Sequence, residues 1–100
     1  MSEGGDSFGF APPPFDVEAA LVQLRRSLRD LRLTERGNGF EMRGKRVLEV
    51  ALEEGVLSVR VARRLMNTPE WDEQVLRSAA DQRKLIGEVK RRLERWLRED

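Results

Sequence analysis

Apolar residues recur at spacings of three and four along residues 16–32, and this pattern predicts an amphipathic helix. Asp16 is a good N-cap, and Glu18 lies where the helix dipole favours a negative charge. The pattern ends after Arg32, and Gly37-Asn38-Gly39 predicts a break in regular structure. The predicted apolar stripe consists of Val17, Ala20, Leu21, Leu24, Leu28 and Leu31.

The hydrophobic period changes to two between residues 39 and 64, which predicts β-strands with one buried face. Glu54-Gly55 fits a two-residue hairpin turn, because Gly supplies a positive φ. Closing the hairpin there brings only apolar residues together on one face. The predicted pairs are Leu52 with Leu57, Val50 with Val59, and Leu48 with Val61.

An earlier turn near Gly44 should join this hairpin to a first strand. A two-residue turn at Gly44-Lys45 would send Phe40 to the wrong face, so we expect a three-residue loop over residues 44–46 or a β-bulge. The three-residue loop pairs Met42 with Leu48 and Phe40 with Val50. It also aligns Glu41, Glu49 and Arg60 in one row on the outer face, where Arg60 offsets the repulsion of the two carboxylates.

A long C-terminal helix is predicted from Thr68 to Arg98, since Thr68-Pro69-Glu70 has the form of an N-cap followed by a first-turn proline. Acidic residues dominate its start and basic residues its end, as the helix dipole favours. Gly87 is its one weak helix former and suggests close packing against the sheet. Its apolar stripe consists of Trp71, Val75, Ala79, Gln82, Ile86, Val89, Leu93 and Trp96, with Leu76, Leu85 and Leu97 at the edges.

These elements predict an α+β fold with the order α-β-β-β-α. A three-stranded antiparallel meander carries both helices on one face, and the C-terminal helix is the long one. Residues 15–100 form the single domain, and residues 1–14 form a flexible Pro/Gly-rich arm. The run Pro12-Pro13-Pro14 could serve a proline-binding groove. We favour instead an arm that is disordered or that lays Phe8, Phe10 or Phe15 on its own domain.

Composition argues against an enzyme. The chain has no Cys, and it also lacks His and Tyr, which removes the commonest general base and the commonest zinc ligands. The adjacent acidic pair Glu53-Glu54 lies in the predicted hairpin turn, and the pair Asp72-Glu73 lies in the predicted first turn of the helix. Carboxylates are expected at both kinds of position without a catalytic role. No phosphate-binding loop or nucleophile elbow is present. We therefore predict no catalytic, cofactor-binding or metal-binding residues.

The cellular setting is read from the same composition. The net charge of +1 gives no general attraction to nucleic acid or membrane, and no apolar run is long enough to span a bilayer. The acidic, polar N-terminus does not resemble a secretory signal. Arg outnumbers Lys 16 to 3, which we attribute to a GC-rich bacterial genome before selection for phosphate contacts. We expect a cytoplasmic bacterial protein.

The predicted element order is similar to that of double-stranded-RNA-binding domains, and the similarity is limited to that order. Those domains use lysines at the start of their second helix. Here the predicted second helix starts with Glu70, Asp72 and Glu73, which would repel phosphate. Because the residues that carry RNA binding are missing, the resemblance implies no function.

The basic end of the predicted helix is the better candidate for a nucleic-acid or other anion-binding surface. Seven basic and only two acidic residues lie between Arg83 and Arg98. A solvated helix face with ends matched to the dipole explains them equally well, and the same holds for Arg60, Arg63 and Arg64. The candidate patch consists of Lys90, Arg91, Arg92, Arg95 and Arg98.

An apolar partner-binding surface is predicted beside that patch. A helix over residues 68–98 would be on the order of 42–45 Å long, whereas strands of about seven residues reach only about 23 Å. The helix should therefore extend past the sheet and expose Leu93, Trp96 and Leu97 unless the first helix, the arm or a second copy covers them. Trp71 is expected in the core.

We therefore expect a small non-catalytic protein that works by protein–protein interaction, with a homodimer through the end of the long helix as one version. Nucleic-acid binding through the basic patch is the alternative. No cofactor, metal or membrane partner is expected.

Overall fold

Two helices pack on a five-stranded antiparallel sheet in the computed structural model, which describes residues 15–99. This confirms the α+β class and the long C-terminal helix, whereas the prediction of three strands was wrong. The predicted arm over residues 1–14 lies outside the described residues. The sheet order is β1-β2-β3-β4-β5, and the elements are α1 (Val17–Asp30), β1 (Thr34–Arg36), β2 (Gly39–Met42), β3 (Lys45–Glu53), β4 (Val56–Ala62), β5 (Trp71–Leu76) and α2 (Ala79–Glu99).

The first helix begins as its sequence predicts. The Asp16 carboxylate accepts hydrogen bonds from the backbone N–H groups of Glu18 and Ala19, both at 3.1 Å, which satisfies two donors that the first helical turn leaves unpaired. Ala20, Leu24 and Leu28 are buried, so the predicted stripe faces the core.

Strand β1 was not predicted, because the three residues Thr34–Arg36 carry no apolar alternation. A two-residue turn at Gly37-Asn38 joins β1 to β2, and Gly37 has a φ of 62°. The Glu35 carboxylate accepts a 2.8 Å hydrogen bond from Arg29 of α1. This edge strand is therefore held by its turn and by one helix, and the short stretch alone gives little strand signal.

The hairpin between β3 and β4 is confirmed in every predicted pair: Leu52 faces Leu57, Val50 faces Val59 and Leu48 faces Val61. Glu54 and Gly55 both have positive φ values, 52° and 73°, as a hairpin turn of this twist requires.

The turn between β2 and β3 differs from the predicted loop, and the predicted alternative, a β-bulge, is present. The turn is the two-residue Arg43-Gly44, so Met42 faces Lys45 and Phe40 faces Leu48. The register shifts between Phe40 and Glu41, and Val47 is the extra residue. Val47 and Leu48 are both fully buried, because a bulge turns two successive side chains towards the same side.

Because of the bulge, the row of charged residues on the outer face differs from the predicted one. Glu49 faces Arg60 as predicted, and their side chains approach to 3.2 Å. Glu41, however, faces Arg46 and does not join that row. Arg46 in turn donates a 2.9 Å hydrogen bond to Glu49 and a hydrogen bond to the Asn38 side chain.

The largest correction concerns the start of the long helix. Thr68 and Pro69 belong to a loop, and residues 71–76 form strand β5 along β4. Pairing with β4 places Trp71 opposite Ala62 and Glu73 opposite Arg60, on the outer face. The Arg60 guanidinium lies 5.3 Å from the Trp71 ring centroid, so Trp71 forms a cation–π contact and is not a core residue of the helix.

Ser78 is the actual N-cap of α2. Its hydroxyl accepts a 3.1 Å hydrogen bond from the Asp81 N–H, and the Asp81 carboxylate accepts a 2.9 Å hydrogen bond from the Arg77 N–H. This reciprocal arrangement resembles a capping box. The helix has 21 residues and is therefore about 31 Å long. The prediction that the helix extends past the sheet was based on a longer helix, so the observed length no longer supports it.

The core lies between the helices and the inner face of the sheet. Alternation along the paired strands brings buried residues of β3, β4 and β5 to this face: Leu48, Val50, Leu57, Val59, Val61 and Leu76. Helix α2 covers it with Leu85, Val89 and Trp96, which are fully buried. Ile86, predicted near the centre of the stripe, is only partly buried. Val89 and Trp96 of the predicted stripe are buried, and the buried side of α2 is centred nearer to the predicted edge residue Leu85 than to Ile86.

The glycines allow an opposed stability test. Gly55→Ala should lower the free energy of unfolding by about 1 kcal/mol, because its φ of 73° is unfavourable for a residue with a Cβ. Gly87→Ala should raise it by about 1 kcal/mol, since Gly is a weak helix former. A Cβ at Gly87 would meet only Arg91 Nη1, at 3.7 Å, so the predicted close packing on the sheet is not present.

Urea denaturation followed by circular dichroism measures both values. Two changes of the same sign would contradict this account of the turn and the helix.

Candidate functional site

The structure separates the predicted basic patch into internal and exposed side chains, and Arg92 is the clearest internal one. Its side chain is only 13% exposed. It donates hydrogen bonds to Glu88 at 2.7 Å, to Asp72 at 2.8 Å and to the Ala62 carbonyl at 3.1 Å. Arg92 therefore joins α2 to the ends of β4 and β5 and is not available to an external anion.

Arg95 also contacts the sheet side of the domain. Its guanidinium donates a 2.6 Å hydrogen bond to the Arg63 carbonyl, in the loop that follows β4. Arg91 pairs with Glu88 at 2.7 Å, although its own side chain is 71% exposed. Lys90 and Arg98 are exposed. The five predicted cations therefore do not form one uniform surface.

Two carboxylates beside Arg92 have their pKa values displaced. Hydrogen bonds from Arg63 and then from Arg92 lower the pKa of Asp72 below its usual value, and the nearby positive charges add to the effect. Hydrogen bonds from Arg92 and then from Arg91 lower the pKa of Glu88. Both groups stay ionised to lower pH than isolated carboxylates, so the cluster is held together by charge at neutral pH.

The predicted apolar partner surface is also divided. Trp96 is fully buried in the core and Leu93 is partly buried against it. Leu97 is 50% exposed and is the most accessible of the three. The sequence predicted that Trp96 lies on a part of the helix that extends past the sheet. In the structure α2 is shorter than predicted, and Trp96 packs in the core.

The acidic pairs do not assemble a reactive centre. Glu53 ends β3 and Glu54 lies in the hairpin turn, whereas Asp72 and Glu73 fall on opposite faces of β5. Across residues 15–99, no cluster of three or more acidic side chains is placed to hold a metal ion. Within the same residues, neither helix combines the length and the apolar character that crossing a lipid bilayer requires.

A groove between α1 and α2, which sequence reasoning missed, is a concave surface formed by the described residues. Its volume is about 970 Å³. Helix α1 contributes a strip of small and polar residues at helical spacing, from Asp16 to Ser27, and α2 contributes the strip from Ala79 to Lys90. The apolar part of the wall consists of Phe15, Ala19, Ala20, Ala79, Ile86 and Gly87.

The charged side chains that line the groove are mostly cationic. Arg77, Arg83 and Lys90 line it, and Asp16 is the single carboxylate among the lining residues. Within residues 15–99 none of these three cationic side chains has an ion-pair partner, in contrast to Arg91 and Arg92. The Asp16 carboxylate already accepts two backbone hydrogen bonds at the start of α1. The groove therefore presents apolar surface beside uncompensated positive charge.

The sequence contains a weak signal for this groove. Gln82, Ile86 and Lys90 recur every four residues along α2, one position away from the buried series Leu85, Val89 and Trp96. Small residues at Ala19 and Ala20 leave space on the facing side of α1. Since a helix period cannot show which apolar residue contacts the sheet, Ile86 was assigned to the core and the second strip was not seen.

Loss of the Arg92 side chain should destabilise the domain. We expect Arg92→Met to lower the free energy of unfolding by roughly 1–3 kcal/mol, because Asp72, Glu88 and the Ala62 carbonyl lose a partly buried donor. Arg91→Met is the matched control and should change it by less than about 0.5 kcal/mol, since an exposed ion pair contributes little. Urea denaturation of both variants measures the difference, and equal losses would contradict the internal role of Arg92.

The same cluster should make stability depend on acid. The pKa values of Asp72 and Glu88 are lower in the folded chain, so their contribution is complete above the unfolded pKa, about 4. It is lost as the pH falls through the folded pKa. The Asp72→Asn/Glu88→Gln variant should therefore lose less stability than the wild type between pH 5 and pH 2.

Glu94→Gln, an exposed change outside the cluster, is the control and should keep the wild-type slope. Thermal unfolding at a series of pH values measures the slopes, and parallel curves for all three proteins would refute the assignment.

Comparison with known proteins adds no family assignment. Neither a protein-family model, nor a curated protein, nor a solved structure matches this chain. The geometry of the described residues is therefore the basis for any functional proposal.

Proposed function

We propose that this protein is a non-catalytic interaction module that binds an acidic and apolar polypeptide segment in the groove between α1 and α2. The observation that carries the proposal is the combination of an apolar wall with Arg77, Arg83 and Lys90, whose charges have no ion-pair partner among the described residues. Apolar side chains gain by leaving water for such a wall, and carboxylates gain from the cations beside it.

The shape of the groove favours an elongated ligand. The strip on α1 from Asp16 to Ser27 covers eleven helical steps, or about 16 Å, which suits about five residues of extended chain. Arg77 precedes α2, and Arg83 and Lys90 are seven residues apart on it, which corresponds to about 10 Å along the helix axis. A segment with acidic residues on either side of apolar ones satisfies this distribution better than a compact small molecule does.

The polar groups of the groove also support binding without catalysis. The Asp16 carboxylate caps α1 and the Ser78 hydroxyl caps α2, so the two side chains with an obvious chemical use both have structural partners. A catalytic base has to be positioned to take a proton from the bound ligand, whereas these two side chains are positioned to cap the helices.

Nucleic-acid binding through the end of α2 receives less support than the groove. Arg92 and Arg95 donate to internal groups, and the only aromatic residue of that region, Trp96, is buried. Self-association through Leu93, Trp96 and Leu97 is similarly reduced to the surface that Leu97 exposes. We retain a bacterial cytoplasmic setting as part of the proposal, on the arginine-rich, cysteine-free composition.

A peptide selection on the full chain tests the proposed function. Random twelve-residue peptides displayed on phage should be enriched in Asp or Glu together with Phe, Leu or Trp. Synthetic copies should bind the wild type and lose at least tenfold in affinity on Arg83→Glu/Lys90→Glu, because the reversed charges repel the peptide. The measurement is fluorescence anisotropy of the labelled peptide.

Arg26→Glu/Arg98→Glu is the matched control, since it changes the net charge equally at exposed positions outside the groove. Equal effects of the two double variants would reject the groove as the binding surface. A labelled DNA duplex at low salt is run alongside. Tight, salt-sensitive binding of that duplex, with no peptide enrichment, would favour the nucleic-acid alternative.

A further inference from the structure

The described chain begins beside the groove. Phe15 is half-buried against the core and itself lines the groove, and Asp16 follows it as the N-cap of α1. Successive Cα atoms are about 3.8 Å apart, so the preceding segment is attached to the described chain at this end of the groove. Any path that residues 1–14 take therefore starts at this surface.

The length of the preceding segment is sufficient to cover the groove. The seven residues from Phe8 to Pro14 can extend to about 23–25 Å, which exceeds the roughly 16 Å between Asp16 and Ser27 on α1. Pro12-Pro13-Pro14 restricts the backbone next to the groove, so fewer conformations are lost when the segment is placed.

The chemistry of residues 1–14 is complementary to the groove. The segment has two carboxylates, Glu3 and Asp6, and no lysine or arginine, whereas the three cations that line the groove have no ion-pair partner within residues 15–99. Phe8 and Phe10 supply two large apolar side chains for a wall formed mostly by small residues. Because about five residues of extended chain match the strip, a bent path is needed to keep Phe8 and the two carboxylates within the groove, and Gly9 allows such a bend.

We propose that residues 1–14 occupy the groove of their own chain and compete there with a partner segment. The inference rests on the proposed function, because it names the resident occupant of the same site and so the regulation of partner access. Since the segment is tethered at Phe15, its effective concentration is in the millimolar range. Contacts too weak to hold a free peptide are therefore enough to keep it in place.

A spin label attached to residue 7 tests where the segment lies. The chain has no cysteine, so Ser7→Cys provides a unique attachment site in the full-length protein. In ¹H–¹⁵N spectra, the amides of Ala19, Gln82 and Ile86 should lose intensity. The amides of Ala51 and Ser58, which lie on the outer face of the sheet, should keep theirs.

Adding Phe8→Ser and Phe10→Ser to the labelled chain should restore the amide intensities of the groove residues, because the proposed binding depends on the two rings. Intensity loss caused only by the proximity of the segment would not depend on them. A mixture of labelled ¹⁴N chain with unlabelled ¹⁵N chain distinguishes occupancy within one chain from exchange between two. The proposal expects no loss of intensity in the mixture. Loss there, or broadening that survives the serine substitutions, would overturn it.

A binding measurement separates this inference from the proposed function. If the segment fills the groove about 90% of the time, Phe8→Ser/Phe10→Ser should bind a selected peptide about tenfold more tightly than the wild type. Unchanged affinity, without groove broadening by the label, would overturn the occupancy while leaving the groove as a peptide site. Groove broadening without peptide binding by either protein would instead support the occupancy and reject the proposed function.

Discussion

The contact of Arg92 with β4 and β5 is the interaction on which the arrangement of α2 depends. Leu85, Val89 and Trp96 give α2 a buried side, and Arg92 lies on that side between Val89 and Trp96. A cation at such a position is unfavourable unless its donors are used. Here Glu88, Asp72 and two backbone carbonyls accept them. Close packing of the buried apolar side chains of α2 sets the rotation of the helix on the sheet, and the directional bonds of Arg92 reinforce it.

That rotation has a consequence for the opposite side of α2. With Leu85 and Val89 directed to the sheet, Ile86 and Lys90 face α1 and line the groove. A rotation by one residue would bury Ile86 and remove part of the apolar wall. The groove therefore depends on how the buried side chains and Arg92 together orient the helix that forms one of its walls.

The sequence predicted the parts of the fold that depend on local pattern. Asp16 and the apolar spacing of α1 specify the first helix, and the β3–β4 hairpin follows from the alternation on either side of Glu54-Gly55. In these segments the N-cap, the turn residues and the buried apolar residues of each element lie close together in the chain. The bulge at Val47 was anticipated only as one of two ways of keeping Phe40 and Met42 on the inner face.

The predictions that were wrong concern features that depend on contacts between residues distant in the sequence. Thr68-Pro69-Glu70 has the form of a helix start, but pairing with β4 makes residues 71–76 a strand. Ser78 and Asp81 carry the competing start signal, which is as strong locally. The sequence of α2 does not predict that Asp72 lies beside Arg92. The basic residues at the end of α2 were therefore predicted to form one surface patch. A Lys at position 92 would keep the charge but not the branched geometry that reaches several acceptors at once.

The groove between α1 and α2 could not be predicted from local patterns in the sequence. A groove between two helices exists only after both have been oriented by the sheet, and its side chains are the ones that the core leaves over. Ala19, Ala20 and Gly87 are too small to fill the gap, and Arg83 and Lys90 line it with positive charge. An open cleft of this kind exposes apolar surface to water at a cost in free energy. That cost is reduced when a segment covers the cleft, and the nearest one in the sequence is the segment that ends at Phe15.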